Sequence, residues 1–420
     1  MDRARGRGGV KSTDGVPGSG LKAMRVTVKI PVLVTLLLVS GSCRSGREPQ
    51  ALLLALATFQ KSTSPPVANP ARLGILSQDG ENWTYRQIED PDSRVFHKAM
   101  IYEISPDKRG ILTAGGTRAI LKLWRPRETP EIIWEADFGG EFSRMRDVET
   151  ADLFRDGRPA LVVATHDQGV VAIVRPLPQG GFSVQELDRQ PQTIVHEVET
   201  GDLDGDGFLE IYATPSRPNF LDGTPQPGEV VRYVLGRGLK RETVAALGSR
   251  HAKEILCSDV DGDGCDELYV SVEAVEGGQV EIMRYDAETP PAEGIPVATL
   301  EDSMCRFLTA GDVDGDGNRE LIAATYRSGV WLLRPGKDPR SRWHMELIDQ
   351  GSSGFEHAAL LADLDGDRMD ELYVANDNAG EVNQYRWRDG RFHKVRLHQY
   401  PADLSVITWN IMPAPASLFP

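Results

Sequence analysis

Short apolar runs recur along the chain from residue 71 onward, and turn-forming residues separate them. Three of these runs read Glu267-Leu-Tyr-Val-Ser, Glu320-Leu-Ile-Ala-Ala and Glu371-Leu-Tyr-Val-Ala. Short segments that are partly β-branched or aromatic, bounded by Gly, Pro, Asn and Asp, are typical of β-strands. The pattern therefore predicts an all-β protein built from many short strands.

The predicted strands belong to repeated units of about 50 residues. The acidic residues that open the turn ahead of these runs are 50, 57, 53 and 51 residues apart, at Asp152, Asp202, Asp259, Asp312 and Asp363. One more unit lies 49 residues upstream, at Glu103. Each unit continues with two further runs, such as Gly329-Val-Trp-Leu-Leu and Trp343-His-Met-Glu-Leu-Ile. Four antiparallel strands in a unit of this length predict a β-propeller blade, and hence six complete blades.

The two ends of the repeat region predict a seventh blade. Residues 73–76 and 83–88 look like a third and a fourth strand, and residues 404–412 look like an inner strand. Joining them would close the ring and leave no exposed sheet edge between the ends. We therefore predict seven blades within residues 71–420, with six blades as the alternative.

Each unit turns between its first two strands through a loop rich in carboxylates. The clearest copy is Asp312-Val-Asp-Gly-Asp-Gly-Asn-Arg-Glu320, with acids at positions 1, 3, 5 and 9 and glycine at position 6. A hard cation such as Ca²⁺ takes six to eight oxygen ligands, which this spacing supplies around a tight turn. Three Ca²⁺ sites are predicted, at Asp202, Asp204, Asp206 and Glu210; at Asp259, Asp261, Asp263 and Glu267; and at Asp312, Asp314, Asp316 and Glu320.

The remaining loops depart from this pattern to different degrees. The loop of Asp363, Asp365, Asp367 and Glu371 keeps its acids but has Arg368 in place of glycine. A fourth Ca²⁺ site is therefore possible there, but the sequence does not decide it. The loop at Asp152 has Phe154 and Ala160 at ligand positions, and the loop at Glu103 has Ser105 and Ile111. We expect these two to turn without a metal. Where Ca²⁺ binds, its expected role is to stabilise the blade.

The repeated Asp-x-Asp-Gly-Asp-Gly-x-x-Glu-Leu segments resemble the FG-GAP/VCBS repeats of integrin-α-like β-propellers. The resemblance covers roughly residues 71–412. It implies a propeller with calcium-binding loops, although family members often have Asp at position 9 where this chain has Glu. It implies little about function, because propellers of this family serve adhesion, ligand binding, assembly and, as accessory domains, enzymes.

Charge excludes some classes of partner. The formal net charge is −15, and residues 1–42 carry seven Lys or Arg against two Asp, so residues 43–420 sum to −20. Such an acidic surface argues against nucleic acid or an anionic membrane as the main partner. A membrane is expected only through a lipid anchor.

The N-terminus predicts export. Arg25 and Lys29 precede a short apolar run, Ile30-Pro-Val-Leu-Val-Thr-Leu-Leu-Leu-Val, which fits the core of a signal peptide. Ser40-Gly-Ser-Cys43 resembles a bacterial lipoprotein signal, with Ser40 where leucine is usual. Residues 1–42 are therefore predicted as signal peptide and 43–70 as a linker, lipid-anchored through Cys43, with a short helix at 51–59. Ordinary signal cleavage is the alternative, and the expected location is the cell envelope.

A second pattern lies six residues before each loop. The side chains there are cationic or can become so: His97, Arg146, His196, Lys253, Arg306 and His357. Six strand residues span about 20 Å, which predicts a ring at the channel mouth opposite the loops. Such a ring would bind a carboxylate, a phosphate or an acidic sugar. The other interpretation is a self-compensated belt of ion pairs with Asp147, Glu197 and Glu254, and both stay open.

The sequence contains no catalytic motif that we recognise, so a binding protein is preferred to an enzyme. The predicted function is binding of a protein or an anionic carbohydrate at the cell envelope. An enzyme acting on acidic polysaccharide, with His196 and Arg306 in the reaction, is one alternative, and a structural assembly module is another. A disulfide between Cys257 and Cys265 is left open, since Cys257, Cys265 and Cys305 are odd in number.

Overall fold

The computed structural model describes residues 50–61, 67–80, 82–105, 108–139, 143–166, 168–216, 224–236 and 238–418. Nearly all of their regular structure is β-strand, with one 3₁₀ turn at Ala416–Leu418. No helix in these residues is long and apolar enough to cross a membrane. The predicted signal peptide and Cys43 lie outside the described residues.

The chain enters the fold through four strands that belong to one sheet. They are β1 (Gln50–Gln60), β2 (Val67–Ala68), β3 (Ala71–Asp79) and β4 (Asn82–Asp90).

Six sheets of four antiparallel strands follow in chain order, and we number them blades 1 to 6. Blades 1 to 3 consist of β5 (Val95–Ser105), β6 (Lys108–Gly116), β7 (Ala119–Trp124) and β8 (Glu131–Ala136); β9 (Met145–Ala151), β10 (Ala160–Thr165), β11 (Val170–Pro176) and β12 (Phe182–Arg189); and β13 (Ile194–Gly201), β14 (Glu210–Ser216), β15 (Glu229–Val234) and β16 (Lys240–Ala246). Blades 4 to 6 consist of β17 (Ala252–Ser258), β18 (Glu267–Val272), β19 (Val280–Tyr285) and β20 (Ile295–Leu300); β21 (Cys305–Gly311), β22 (Glu320–Thr325), β23 (Val330–Arg334) and β24 (His344–Asp349); and β25 (Ala359–Ala362), β26 (Glu371–Asn376), β27 (Glu381–Arg388) and β28 (Arg391–Gln399).

The last strand, β29 (Leu404–Pro415), returns to the first sheet and pairs with β1 from Gln50↔Pro415 to Gln60↔Leu404. Blade 7 therefore runs β29, β1, β3, β4, with β2 beside the end of β1. The prediction of seven blades closed by strands from both ends is confirmed. The alternative of six blades is excluded.

One prediction about this blade is wrong. Residues 51–59 form part of strand β1 and not a short helix, and β1 supplies the second strand that the sequence interpretation lacked. The propeller consequently includes residues 50–60, which the sequence interpretation places in the linker. The run Ala51-Leu-Leu-Leu-Ala-Leu-Ala is apolar throughout because β1 lies between two other strands and is covered on both faces.

The core is divided among the interfaces between blades. Seven clusters of buried apolar side chains occur in the described residues, and each combines two neighbouring blades. One of them joins blade 7 to blade 1 and another joins blade 6 to blade 7, which shows that the ring is complete. Successive inner strands also contact one another around the channel. This arrangement places both ends of the inner strands at the two mouths of the channel.

Candidate functional site

The acidic loops lie at one mouth of the channel, where each inner strand ends. In four loops, carboxylate oxygens lie within 4.8 Å of one another. The groups are Asp202, Asp204 and Asp206; Asp259, Asp261, Asp263 and Glu267; Asp312, Asp314 and Asp316; and Asp363, Asp365 and Asp367. Three or four oxygen donors on one turn suit a hard divalent cation, so the residues fit the metal that the resemblance implies.

Backbone hydrogen bonds shape each of these loops around its first aspartate. In blade 5, Gly315 N donates to Asp312 Oδ1 at 2.7 Å and Gly317 N donates to Asp312 Oδ2 at 2.9 Å. Gly317 has a φ of 87°, a conformation in which a glycine is not strained. Arg368 occupies the same position in blade 6 with a φ of 76°. The turn therefore keeps its backbone conformation although the glycine is absent.

The glutamates at position 9 behave differently from the prediction. Only Glu267 joins its aspartates, whereas Glu210, Glu320 and Glu371 lie outside the groups. Their carboxylates are buried and close the loop: Glu371 Oε2 accepts Leu364 N at 3.2 Å and the Tyr373 hydroxyl at 3.1 Å. Burial raises the pKa of Glu371 and of Glu320 to about 7.

An arginine from the third strand approaches the aspartate at position 3 in all four loops. The distances are 3.4 Å for Arg232 to Asp204, 2.7 Å for Arg284 to Asp261, 2.9 Å for Arg334 to Asp314 and 3.6 Å for Arg386 to Asp365. Sequence reasoning missed these residues. Their signal was an arginine in or at the end of the third strand of four successive units.

The loop of blade 2 is held by side chains of a different kind. Arg158 and Arg175 both pair with Asp156 and lower its pKa to about 2. The guanidinium of Arg175 lies 4.1 Å from the ring centre of Phe154. The corresponding loop of blade 1 includes residues 106–107, which are outside the described part of the chain.

The predicted cationic ring lies at the opposite mouth, and all six of its side chains are buried. Two of them are engaged by the backbone. His97 Nδ1 donates to Met145 O at 2.8 Å, and His357 Nδ1 donates to Thr325 O at 2.6 Å while its Nε2 accepts from Ser352 Oγ at 2.8 Å. These bonds leave His357 without a polar atom for a ligand.

The other ring members surround two carboxylates that the prediction did not include. Arg306 Nε lies 3.1 Å from Glu273 Oε1, and Arg306 Nη1 lies 2.9 Å from Glu356 Oε1. Arg146 Nη2 is 3.6 Å from the second oxygen of Glu356, and Lys253 Nζ is 3.4 Å from the second oxygen of Glu273. Glu273 follows β18 and Glu356 precedes β25, so neither lies on an inner strand.

Several polar atoms in this cluster have no protein partner. In the part of the chain that the structure describes, both ring nitrogens of His196 and Nε2 of His97 are buried without a hydrogen bond. The contact of Lys253 Nζ with Glu273, at 3.4 Å, is the ion pair described above. Burial, together with the charges of Lys253, Arg146 and Arg306, lowers the pKa of His196 well below its usual value. Burial also lowers the pKa of Lys253 to about 8, with the charge of Arg306 as the next cause. His196 is therefore uncharged at neutral pH.

The acids expected to neutralise the ring do something else. Asp147 pairs with Lys98 at 3.1 Å and accepts Val198 N of blade 3 at 3.0 Å, while Glu254 accepts Leu308 N of blade 5 at 2.9 Å. Among the described residues, Asp147, Glu197 and Glu254 form no ion pair with a ring cation. The ion pairs of the ring are formed with Glu273 and Glu356 instead, whereas Asp147 and Glu254 bond to neighbouring blades.

Blade 7 contributes an aromatic side chain where the sequence offered no cation. Trp409 of β29 meets the ring of His97 edge-on at 4.5 Å, and the guanidinium of Arg146 lies 4.9 Å from its ring centre. Among the described residues, the groups of His, Cys, Asp and Glu side chains that could hold a metal ion are the four acidic loops, and none of them includes a histidine of the ring. Cys257, Cys265 and Cys305 are free thiols.

Comparisons with solved structures agree with this architecture. A protein of Lactobacillus plantarum has a TM-score of 0.54 and 11% sequence identity over 88% of this chain and 100% of that chain. A candidate 6-phosphogluconolactonase of Bacteroides uniformis has a TM-score of 0.53 and 12% identity over 88% of this chain and 100% of that chain. Another, of Bacteroides fragilis, has a TM-score of 0.51 and 10% identity over 87% of this chain and 98% of that chain. The fold is a seven-bladed β-propeller. No family model and no curated protein matches the sequence. At these identities the likeness concerns the fold alone.

Proposed function

We propose that this propeller binds an anionic ligand at the mouth that carries Arg146, His196, Lys253 and Arg306. The observation that supports the proposal is the excess of buried donors over acceptors. Three cations surround the two carboxylates Glu273 and Glu356, which leaves one positive charge unmatched within the cluster. A buried charge or donor is costly without a partner, and an anion with several acceptor oxygens would satisfy these groups.

The test is titration calorimetry with D-galacturonate and D-galactose 6-phosphate, using D-galactose as the neutral comparison. We expect an anion to bind, and Arg146→Gln and Lys253→Met to weaken it at least about tenfold, since a charge-assisted hydrogen bond contributes about 1.5–3 kcal/mol. Arg391→Gln, at an exposed position of β28, is the matched control and should bind as the wild type does. Affinity should fall above pH 8, where Lys253 loses its charge. Absence of binding by both anions would contradict the proposal.

We further propose that the four acidic loops bind Ca²⁺ and that the protein is exported to the cell envelope. The convergent aspartates support the first statement, and the resemblance of the loops to FG-GAP/VCBS repeats agrees with it. The signal-like residues 25–43 support the second. Cys43→Ala should move the protein from the detergent phase to the aqueous phase in phase partition if Cys43 carries a lipid. If Cys43→Ala and the wild-type protein partition alike, ordinary signal cleavage without a lipid is the remaining interpretation.

An enzyme acting on acidic polysaccharide is the second candidate, and His196 is the observation that favours it. Its imidazole is neutral at pH 7, and neither nitrogen is bonded to another described residue, so one nitrogen is free to accept a proton. Arg306 and Arg146 nearby would stabilise negative charge in a transition state. Incubation with polygalacturonate should then release product, and His196→Ala should abolish it. Binding without product formation would favour a binding protein.

A further inference from the structure

Glu356 occupies a position that no other blade uses for a charge. The residue immediately before the ring position is apolar and buried in blades 1 to 5: Phe96, Met145, Val195, Ala252 and Cys305. In blade 6 it is Glu356, which is 3% exposed. Blade 6 thus has a carboxylate where the five other blades have an apolar side chain. Packing does not require a charge at this buried position.

The backbone departs from the repeat at the same place. The inner strand β25 has four residues, whereas β9, β17 and β21 each have seven. The strand begins only after His357, whose φ of 57° is in the left-handed region. A residue other than glycine is strained in this conformation, and the strain persists only when surrounding contacts hold the residue. Here Thr325 O and Ser352 Oγ hold the His357 ring.

This turn places the Glu356 carboxylate between two arginines from separate blades. Its Oε1 is 2.9 Å from Arg306 Nη1 of blade 5, and its Oε2 is 3.6 Å from Arg146 Nη2 of blade 2. Blades 2 and 5 lie on different sides of the ring, so one carboxylate spans the channel mouth. Each guanidinium also rests on an aromatic ring, Arg306 on Phe355 at 4.3 Å and Arg146 on Trp409 at 4.9 Å.

The two arginines thus form a preorganised site for one planar carboxylate, and the protein supplies that carboxylate itself. We propose that the ligand is a carboxylate whose anionic group takes the place of Glu356 between Arg146 and Arg306. The inference rests on the proposed binding function and adds the chemical class of the ligand. Exchange of one carboxylate for another keeps the charge of the cluster unchanged, whereas a phosphate dianion would add a negative charge beside Glu273.

The test compares D-galacturonate, D-galactose 6-phosphate and D-galactose by titration calorimetry on wild type, Glu356→Gln and Glu293→Gln. Glu293 is an exposed loop glutamate and serves as the control. We expect wild type to bind galacturonate at least tenfold more tightly than galactose 6-phosphate. Glu356→Gln should bind galacturonate about tenfold more tightly than wild type, because the internal competitor has lost its charge.

A second measurement does not depend on the folding of a variant. A crystal structure of the wild-type protein with galacturonate should show the ligand carboxylate on Arg146 and Arg306, and Glu356 more than 4 Å from both. Equal affinity of Glu356→Gln and wild type, a preference for the phosphate, or a complex with Glu356 still in place would each overturn the inference. If one of these results is obtained but Arg146→Gln still abolishes anion binding, the proposed function stands and only the displacement of Glu356 is refuted. If neither anion binds the wild-type protein, the proposed function itself fails.

Discussion

At the scale of single residues, Arg368 shows that the turn is determined by the loop and not by its glycine. It has a φ of 76°, close to the 83°, 93° and 87° of Gly207, Gly264 and Gly317 in the other three loops. A side chain with a Cβ is strained in that region, so the surrounding hydrogen bonds must impose the conformation. One of them is the bond from Arg368 N to Asp363 Oδ2 at 3.2 Å.

Replacing this side chain should therefore stabilise the protein. We expect Arg368→Gly to raise the free energy of unfolding by about 1 kcal/mol, since glycine adopts this φ without strain. Urea denaturation followed by tryptophan fluorescence measures the change. The matched control is Gly317→Arg in blade 5, which should lower stability; a decrease for Arg368→Gly as well would show that the arginine side chain itself contributes.

The residues of the channel mouth could be predicted only in part. A constant spacing of six residues from the loops identified Arg146, His196, Lys253 and Arg306 because inner strands keep one register from blade to blade. It could not identify Glu273, which lies in the loop after a second strand, or Glu356, which lies in the loop before the inner strand β25. It also included His357, whose ring turns toward Thr325 and Ser352.

At the scale of elements, the acidic loop and the third strand act together. The arginine of the third strand reduces the repulsion among the aspartates, and the buried glutamate at position 9 closes the loop from inside. The loop was predictable because its ligands follow one another within nine residues of sequence. The arginine contact was not, since it depends on the pairing of the second and third strands.

Calcium should bind to these loops and stabilise the blades that contain them. We expect addition of millimolar Ca²⁺ to metal-free protein to raise the melting temperature, with about 2.7 kcal/mol per site when the free ion is at 100 times its dissociation constant. Differential scanning calorimetry with and without a chelator measures this. Asp259→Asn should reduce the increase, whereas Asp156→Asn in the arginine-bound loop of blade 2 should not. Identical melting with and without Ca²⁺ would contradict a structural metal.

The strand β1 shows the limit of prediction at this scale. Its residues 51–57 are all apolar and buried, so they carry no alternation that would distinguish a strand from a helix. Alanine and leucine also favour helices in isolation. The tertiary position between β29 and β3 decides the outcome, and a single sequence does not display it.

At the scale of the whole molecule, seven interfaces share the hydrophobic core, and two of them depend on blade 7. The inner strand of that blade comes from the end of the chain and its second strand from the beginning. The seven-bladed ring was predictable because the predicted terminal strands supplied three of the four strands of one blade, β29, β3 and β4. The ligand was not predictable, because propellers place unrelated sites on one fold.

Removal of the last strand should therefore affect the entire ring. We expect a variant that ends at residue 403 to lose the cooperative unfolding transition, because β1 and the inner faces of blades 1 and 6 would be uncovered. Circular dichroism during thermal unfolding measures it. A variant that ends at residue 418 keeps β29 and should unfold as the full chain does. A sharp transition in the shorter variant would show that six blades and three strands suffice.

The pairing of β1 with β29 also has a consequence for the time at which the molecule becomes complete. During synthesis the ribosome produces Gln50–Gln60 before any other described strand and Leu404–Pro415 after all of them. An incomplete chain can only be an open arc whose two end faces are apolar. Closure must wait until Leu404–Pro415 has been synthesised and has left the ribosome. A chain that crosses a membrane during translation would therefore reach the other side before its ring had formed.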